Sequence, residues 1–254
     1  MPSNPCIRVR EATRDDIGAI VDINFTAFDD NVMNRLMYPG GVTADVKAKY
    51  ASKLFPQDNA GTPANEGQTV LCVAEYLPEP TDGPGEIVAF ARWLLQREPR
   101  TEAGWKAKEF NATTETWGEG CDVAVVNAFI GEMTRIQRDH AQGEAALYLS
   151  LLACSPTRQR LGAGSALLKW GVDLADSLGL PSRVEASPAG YRLYKKFGYE
   201  DVDVLDLKVT DTWGVVNTDG SDWGANNAVS LAGPAPDGVV RSVIMRRPPR
   251  KAAI

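Results

Sequence analysis

The residues of this chain best suited to chemistry lie in one short stretch, Arg158-Gln159-Arg160-Leu161-Gly162-Ala163-Gly164-Ser165. Gly162 and Gly164 have no Cβ, so a diphosphate can approach the main chain closely there. If a helix begins at this point, its first backbone N–H groups lack internal partners and carry partial positive charge. Arg158 and Arg160 would add charge at the rim. The chemistry implied is the holding of a phosphate-bearing ligand.

The flanking residues supply the elements such a site needs. Leu147 to Ala153 is an apolar run long enough for one buried strand. Pro156 closes it, because proline cannot donate to a sheet ladder. After the glycines, Leu167, Trp170, Gly171, Leu174 and Leu178 recur at three- and four-residue spacing, which predicts a helix with one buried face. Gly179 and Pro181 end it.

Two common phosphate-binding patterns fail on detail. A dinucleotide fingerprint wants a third glycine where Leu167 stands, and a P-loop wants Gly-Lys-Ser/Thr, which this loop lacks. Gln159-Arg160-Leu161-Gly162-Ala163-Gly164 instead fits the acetyl-CoA signature Gln/Arg-x-x-Gly-x-Gly/Ala. Further on, Ser187-Pro188-Ala189-Gly190-Tyr191-Arg192-Leu193-Tyr194-Lys195-Lys196-Phe197-Gly198-Tyr199 is similar to a second motif, Asn-x-x-Ala-x-x-Leu-Tyr-x-x-x-Gly-Phe. Ser187 stands where Asn is usual and Gly190 where Ala is usual. Ser187 still suits a helix cap, with Pro188 at the first helical position and Gly198 past the end. With both motifs in order, the chain resembles the GNAT superfamily of acyl-CoA N-acetyltransferases.

That resemblance implies an α/β (α+β) fold. Its centre is a mixed, mostly antiparallel sheet of about seven strands flanked by helices. The fourth and fifth strands splay apart to admit acetyl-CoA. It implies a co-substrate site made by the backbone of Leu152, Ala153 and Cys154 and by Gln159, Arg160, Leu161, Gly162, Ala163, Gly164 and Ser165. The N–H of Cys154 is a candidate donor to the thioester carbonyl. No metal is expected. It also implies that Tyr194 protonates the departing thiolate, since a phenol near pKa ~10 can serve a thiolate of similar basicity. The residues alone equally allow Tyr194 to be a helix tyrosine packed on Phe197.

Acetyl transfer further asks for a neutral amine nucleophile and a place for its proton. Glu75, Glu132, Glu185 and His140 are the polar candidates for a base. His140 is the only histidine, and a lone histidine at a helix end more often caps carbonyls or faces solvent. Cys154 admits an acetyl-cysteine intermediate, but no histidine lies near it in sequence, so direct transfer in a ternary complex is the expectation. The acceptor expected is a primary amine of a small molecule. A protein or peptide N-acetyltransferase is a second reading. A non-catalytic acyl-CoA-binding module is a third, favoured by Ser187 and opposed by Tyr194.

Composition narrows the classes. A net charge of −6 lacks the basic footprint of general nucleic-acid binding. The four cysteines, Cys6, Cys72, Cys121 and Cys154, are scattered and form no C-x-x-C pair, so no usual zinc site can be built. There is no basic, apolar leader and no apolar run of about 18 residues, so neither a membrane partner nor export is expected and the location expected is cytoplasmic. No motif fixes oligomeric state, which leaves room for a homodimer.

In chain order, Ile7 to Arg10 predicts a strand, and Ile17 to Phe28 a helix behind a capping pair, Thr13 and Asp16. Met33, Met37 and Tyr38 suit either a substrate-facing or a packing role. Thr43 to Leu54 predicts a helix, Pro56 to Gln68 a polar loop, and Thr69–Tyr76 with Glu86–Leu94 a strand pair. Residues 1–254 are expected to form one domain. Its connection at 96–144 is expanded, helical over Asp122 to Gln142, and expected to form a lid or wall of the acceptor pocket. Asp201–Val209 and Val239–Met245 predict strands around a long loop at 210–238, where Trp213 and Trp223 face either the acceptor or the surface.

Overall fold

Short apolar runs rich in β-branched and aromatic residues become strands, and the longer amphipathic stretches between them become helices. The computed structural model describes residues 6–55, 67–79, 83–107 and 109–250. Most of the loop expected from Pro56 to Gln68 therefore lies outside the described residues, as does part of the turn before Glu86. The strands are β1 (Cys6–Glu11), β2 (Gln68–Leu77), β3 (Glu86–Gln96), β4 (Ala146–Cys154), β5 (Ser182–Ala186), β6 (Glu200–Leu207) and β7 (Val240–Arg247). The helices before β4 are α1 (Ile17–Ala27), α2 (Val32–Met37), α3 (Ala44–Ser52), α4 (Glu102–Lys106), α5 (Thr114–Trp117), α6 (Val123–Val126) and α7 (Glu132–Ala141). Those after it are α8 (Ala163–Ser177), α9 (Pro188–Lys196), α10 (Val209–Trp213) and α11 (Val229–Ala232).

The strands form one seven-stranded sheet in the order β1-β2-β3-β4-β5-β7-β6. All neighbours are antiparallel except β4 and β5, which run parallel over Leu147–Leu149 and Ser182–Val184 only. This is the mixed, helix-flanked sheet expected, with its parallel pair at the fourth and fifth strands.

Each face of the sheet carries an apolar core. On one, α8 lays Leu167, Leu168 and Val172 against Trp93, Leu147, Leu149 and Met245. Burying each such leucine stabilises the fold by about 1.5–3 kcal/mol. Gly171 is required by that contact, because a Cβ there would sit 2.0 Å from Cζ2 of Trp93. On the other face, α1 to α3 bury Ile20, Phe25, Met33 and Val46 against Val73 and Phe90. Met33, Met37 and Tyr38 pack here, each at most 9% exposed, as do the half-buried Trp213 and Trp223 from the long loop.

The connection between β3 and β4 folds onto α2 and α3. Thr43 Oγ1 donates to the Glu119 carbonyl at 2.8 Å, and the Asp122 N–H to the Met37 carbonyl at 2.8 Å. Gly118, at φ 98°, passes so close to α3 that a Cβ would meet Val46 Cα at 2.7 Å. The helix expected over Asp122 to Gln142 is divided by a π-turn at Asn127–Gly131. Its first residue is held by an earlier segment of the same connection: Asn127 accepts from the Ala112 N–H at 2.8 Å and donates to the Ala112 carbonyl at 3.0 Å.

Candidate active site at the β4–β5 cleft

A one-residue bulge in β4 shapes the site. Trp93 pairs with Leu149 and Arg92 with Leu151, leaving Ser150 extra, its Oγ donating to the Arg92 carbonyl at 3.0 Å. Such a bulge bends its strand and shifts the alternation of amides along it. Before it, the Leu147 N–H reaches across to Pro181 beside β5; after it, the Ser155 N–H reaches back to Val88 on β3. Strand alternation then turns the main-chain groups of Leu152 and Cys154 away from β3. They face the side where β5 no longer pairs with β4. Ala153 differs: its main chain turns toward β3, and its side chain is buried on the α1 face.

The expected loop follows directly. Gln159, Arg160, Leu161 and Gly162 are exposed, and Arg160 and Gly162 take left-handed backbone at φ 64° and 86°. At Gly162 this conformation favours glycine, and a Cβ would point into open space. Gly162 caps α8 without a side-chain bond, so the amides of Ala163, Gly164 and Ser165 open the helix. The Gly164 N–H lies against the Cys154 sulfur, and a Cβ at Gly164 would stand 3.2 Å from it. Burial raises the Cys154 thiol above its ordinary range. Arg158 does not serve the rim as the sequence suggested: Glu86 takes its guanidinium, with contacts of 3.0 and 2.6 Å, and it lies over the Tyr76 ring.

Helix α9 brings Tyr194 to the same place. Ser187 caps it by accepting from the Gly190 N–H at 3.3 Å, with Pro188 at its first position. At Gly190, where Ala is usual, the Tyr194 ring lies close over the backbone; a Cβ would be 2.8 Å from Cε2. Tyr194 is 6% exposed and meets Tyr199 edge-on at 5.8 Å. Burial, then the neighbouring Tyr199, Cys154 and Glu185, push its phenol far up, so it stays protonated at neutral pH.

Of the four carboxylate and imidazole candidates, the fold brings only Glu185 to the cleft. Glu75 is held by Arg8 and Arg10 at 2.6 and 3.0 Å, Glu132 by Arg135 at 2.5 Å, and His140 by Asp203 at 2.7 Å. Glu185 leaves β5 at the point of divergence, and its Oε2 accepts from the Tyr148 hydroxyl. Its Oε1 is sealed from solvent with no partner. Burial lifts this carboxyl to about 7, opposed by the Tyr148 hydrogen bond. Tyr148 itself is pushed well above 10 by burial and by the Glu185 charge.

Sequence reading missed the groups beside Tyr148. Arg92 extends from the same face of β3, half-buried, with Nε sealed and unpartnered. Tyr50 of α3 also buries an unpartnered hydroxyl. Lys53, at the rim, has its ammonium lowered by burial and then by Arg92; it donates to the Thr116 carbonyl and lies 5.2 Å over the Trp117 ring. The one available signal was an arginine inside the apolar run Ala89-Phe90-Ala91-Arg92-Trp93-Leu94. Among the described residues no group of three or more His, Cys, Asp or Glu could hold a metal ion, and no helix is long and apolar enough to cross a membrane.

No curated protein matches this chain. The mosquito arylalkylamine N-acetyltransferase like 5b has a similar fold, with 17% identity over 96% of this chain and 100% of that one and a TM-score of 0.54. A histone acetyltransferase HPA2 and related acetyltransferase from Corynebacterium glutamicum aligns at 20% identity over 98% of this chain and 99% of that one, TM-score 0.47. A phosphinothricin acetyltransferase from Sinorhizobium meliloti aligns at 14% identity over 98% and 91%, TM-score 0.49. The model of the acetyltransferase (GNAT) family matches residues 82–199, which begin just before β3, end with the second motif and include the bulge, the glycine loop, Glu185 and Tyr194. Over that segment the chain is similar to the GNAT family of acetyltransferases, and its fold is of the same kind.

Proposed function

We propose that the chain moves an acetyl group from acetyl-CoA to a primary amine of a small molecule, by direct attack within a ternary complex. The observation that carries this is the unpaired β4 edge beside Tyr194 and Glu185, at the mouth of the glycine loop. In this reading the pantetheine arm pairs with Leu152 and Cys154 like an added strand, flanking Ala153. The diphosphate rests on the loop amides from Gln159 to Ser165, where the α8 dipole favours negative charge. The Cys154 N–H steadies the thioester oxygen as charge develops on it.

The amine nitrogen attacks the thioester carbon, and the carbon–sulfur bond breaks. Tyr194 gives its phenolic proton to the departing sulfur. Glu185 takes the proton lost by the amine, directly or through one water. A carboxyl near 7 is poised for that role at neutral pH, and the Tyr148 bond holds it in place. Calorimetry with acetyl-CoA on the purified chain, followed by thiol release with amine and peptide acceptors, tests the proposal. Absence of coenzyme binding would overturn it.

A further inference from the structure

The acceptor side of the cleft carries positive charge that no carboxylate among the described residues pairs with. Among the described residues no carboxylate pairs with Arg92, although its Nε is sealed from solvent. Arg92 lies two residues beyond Phe90 and so on the same face of β3; Tyr50 packs into the core on that face, 5.4 Å from Phe25, so the guanidinium, a buried hydroxyl without a partner and the nearby ammonium of Lys53 share one region. Burying a charge without a partner is unfavourable, and so is placing two cations together. A ligand that brings an anion removes both penalties. It also gives the Tyr50 hydroxyl an acceptor. The base lies across Tyr148 from this region, because the Tyr148 hydroxyl is turned to Glu185.

We propose that the acceptor is an amine that also carries an anionic group, a carboxylate or phosphonate, bound by Arg92 and Tyr50 while the amine faces Glu185. This rests on the acetyl-transfer reading above and names its substrate class. A simple amine arrives as an ammonium ion and would meet two like charges. A zwitterion presents its anion to them first, which fixes the amine toward the carboxylate. Arg92 suits the role, since a guanidinium binds planar anions with two parallel donors.

The test compares matched acceptors at fixed acetyl-CoA: L-phenylalanine against 2-phenylethylamine, L-methionine against 3-(methylthio)propylamine, and an α-aminophosphonate as a third arm. Thiol release should favour the anionic member of each pair in kcat/KM by about tenfold to a hundredfold. The phosphonate arm separates the two anion types. Arg92→Gln should raise KM for the anionic acceptor by a similar factor and leave acetyl-CoA affinity, read by calorimetry, unchanged; Arg92→Lys should recover part of the loss. Equal turnover of both members of each pair, with intact coenzyme binding, would overturn the substrate class and leave acetyl transfer standing. Loss of coenzyme binding in the wild-type chain would instead remove both.

Discussion

The Tyr148 hydroxyl donates to Oε2 of Glu185 where β4 and β5 part, and Oε1 of the same carboxylate has no partner. One oxygen is fixed and the other is left without a partner, so it can take a proton once the acceptor amine or a water enters the cleft. The carboxyl titrates at about 7 because it is buried.

It follows that kcat/KM should fall as pH drops below about 7, by about tenfold per unit, as Glu185 gains its proton. Glu185→Gln should remove that limb and lower the rate by about 10²–10⁴-fold. His140→Asn is the control, since its ring is paired with Asp203 on the α7 side of the fold, and it should leave the profile unchanged. Stability moves with the same proton. The folded chain holds it up to about 7, whereas the ordinary carboxyl value is 4.5, so the unfolded state binds fewer protons within that window. Stability should therefore fall as pH rises through it, and Glu185→Gln should flatten that slope in chemical denaturation at stepped pH.

Tyr194→Phe keeps the ring that packs on Tyr199 and removes only the hydroxyl, which makes no hydrogen bond among the described residues. Folding and coenzyme affinity should be unchanged. Turnover should drop by about 10²–10⁴-fold, because the thiolate then leaves without its acid. Undiminished turnover with the best acceptor would take Tyr194 out of the mechanism.

What the sequence disclosed and what it hid follow a physical division. The glycine loop and the cap at Ser187 were legible because local backbone demands fix residue type: Gly162 needs a left-handed φ, and the start of α9 needs an acceptor for a free N–H. Of the two strands flanking the cleft, β4 was legible from its apolar run, whereas β5, Ser182-Arg183-Val184-Glu185-Ala186, has no such run and was expected only through the resemblance. The bulge at Ser150 was not, since it exists only in the register between β3 and β4. Nor was the gathering of Tyr50, Lys53, Arg92 and Tyr148, which come from α3, its C-terminal end, β3 and β4 and meet only after the sheet forms. Four short helices, α4, α5, α10 and α11, are each one turn or little more, too brief for a 3.6-residue period to show. Arg158 was misread because its partner, Glu86, lies 72 positions away.

Gly171 and Trp93 offer a test of the α8 contact. A methyl at Gly171 would overlap the indole, which is fully buried. Gly171→Ala should destabilise the fold by about 1–3 kcal/mol in urea, despite alanine's better helix propensity. Combining it with Trp93→Leu should cost less than the sum of the two single changes, because the second makes room for the first. Additive losses would mean that the helix shifts rather than clashes.

Cys154 decides between the two kinetic schemes. Its thiol is pushed up by burial, its sulfur lies against the Gly164 N–H, and among the described residues no histidine or cation is positioned to draw off its proton. A nucleophilic cysteine needs a lowered thiol and a neighbouring base, and this residue has neither. Cys154→Ala should therefore keep most of the turnover, with any loss appearing in the Michaelis constant for acetyl-CoA through the repacked strand end. Initial rates with both substrates varied should give intersecting double-reciprocal lines for the wild type and the variant alike. Parallel lines in the wild type, abolished along with activity in Cys154→Ala, would require an acetyl-cysteine and confine the action of Glu185 on the amine to the second half-reaction.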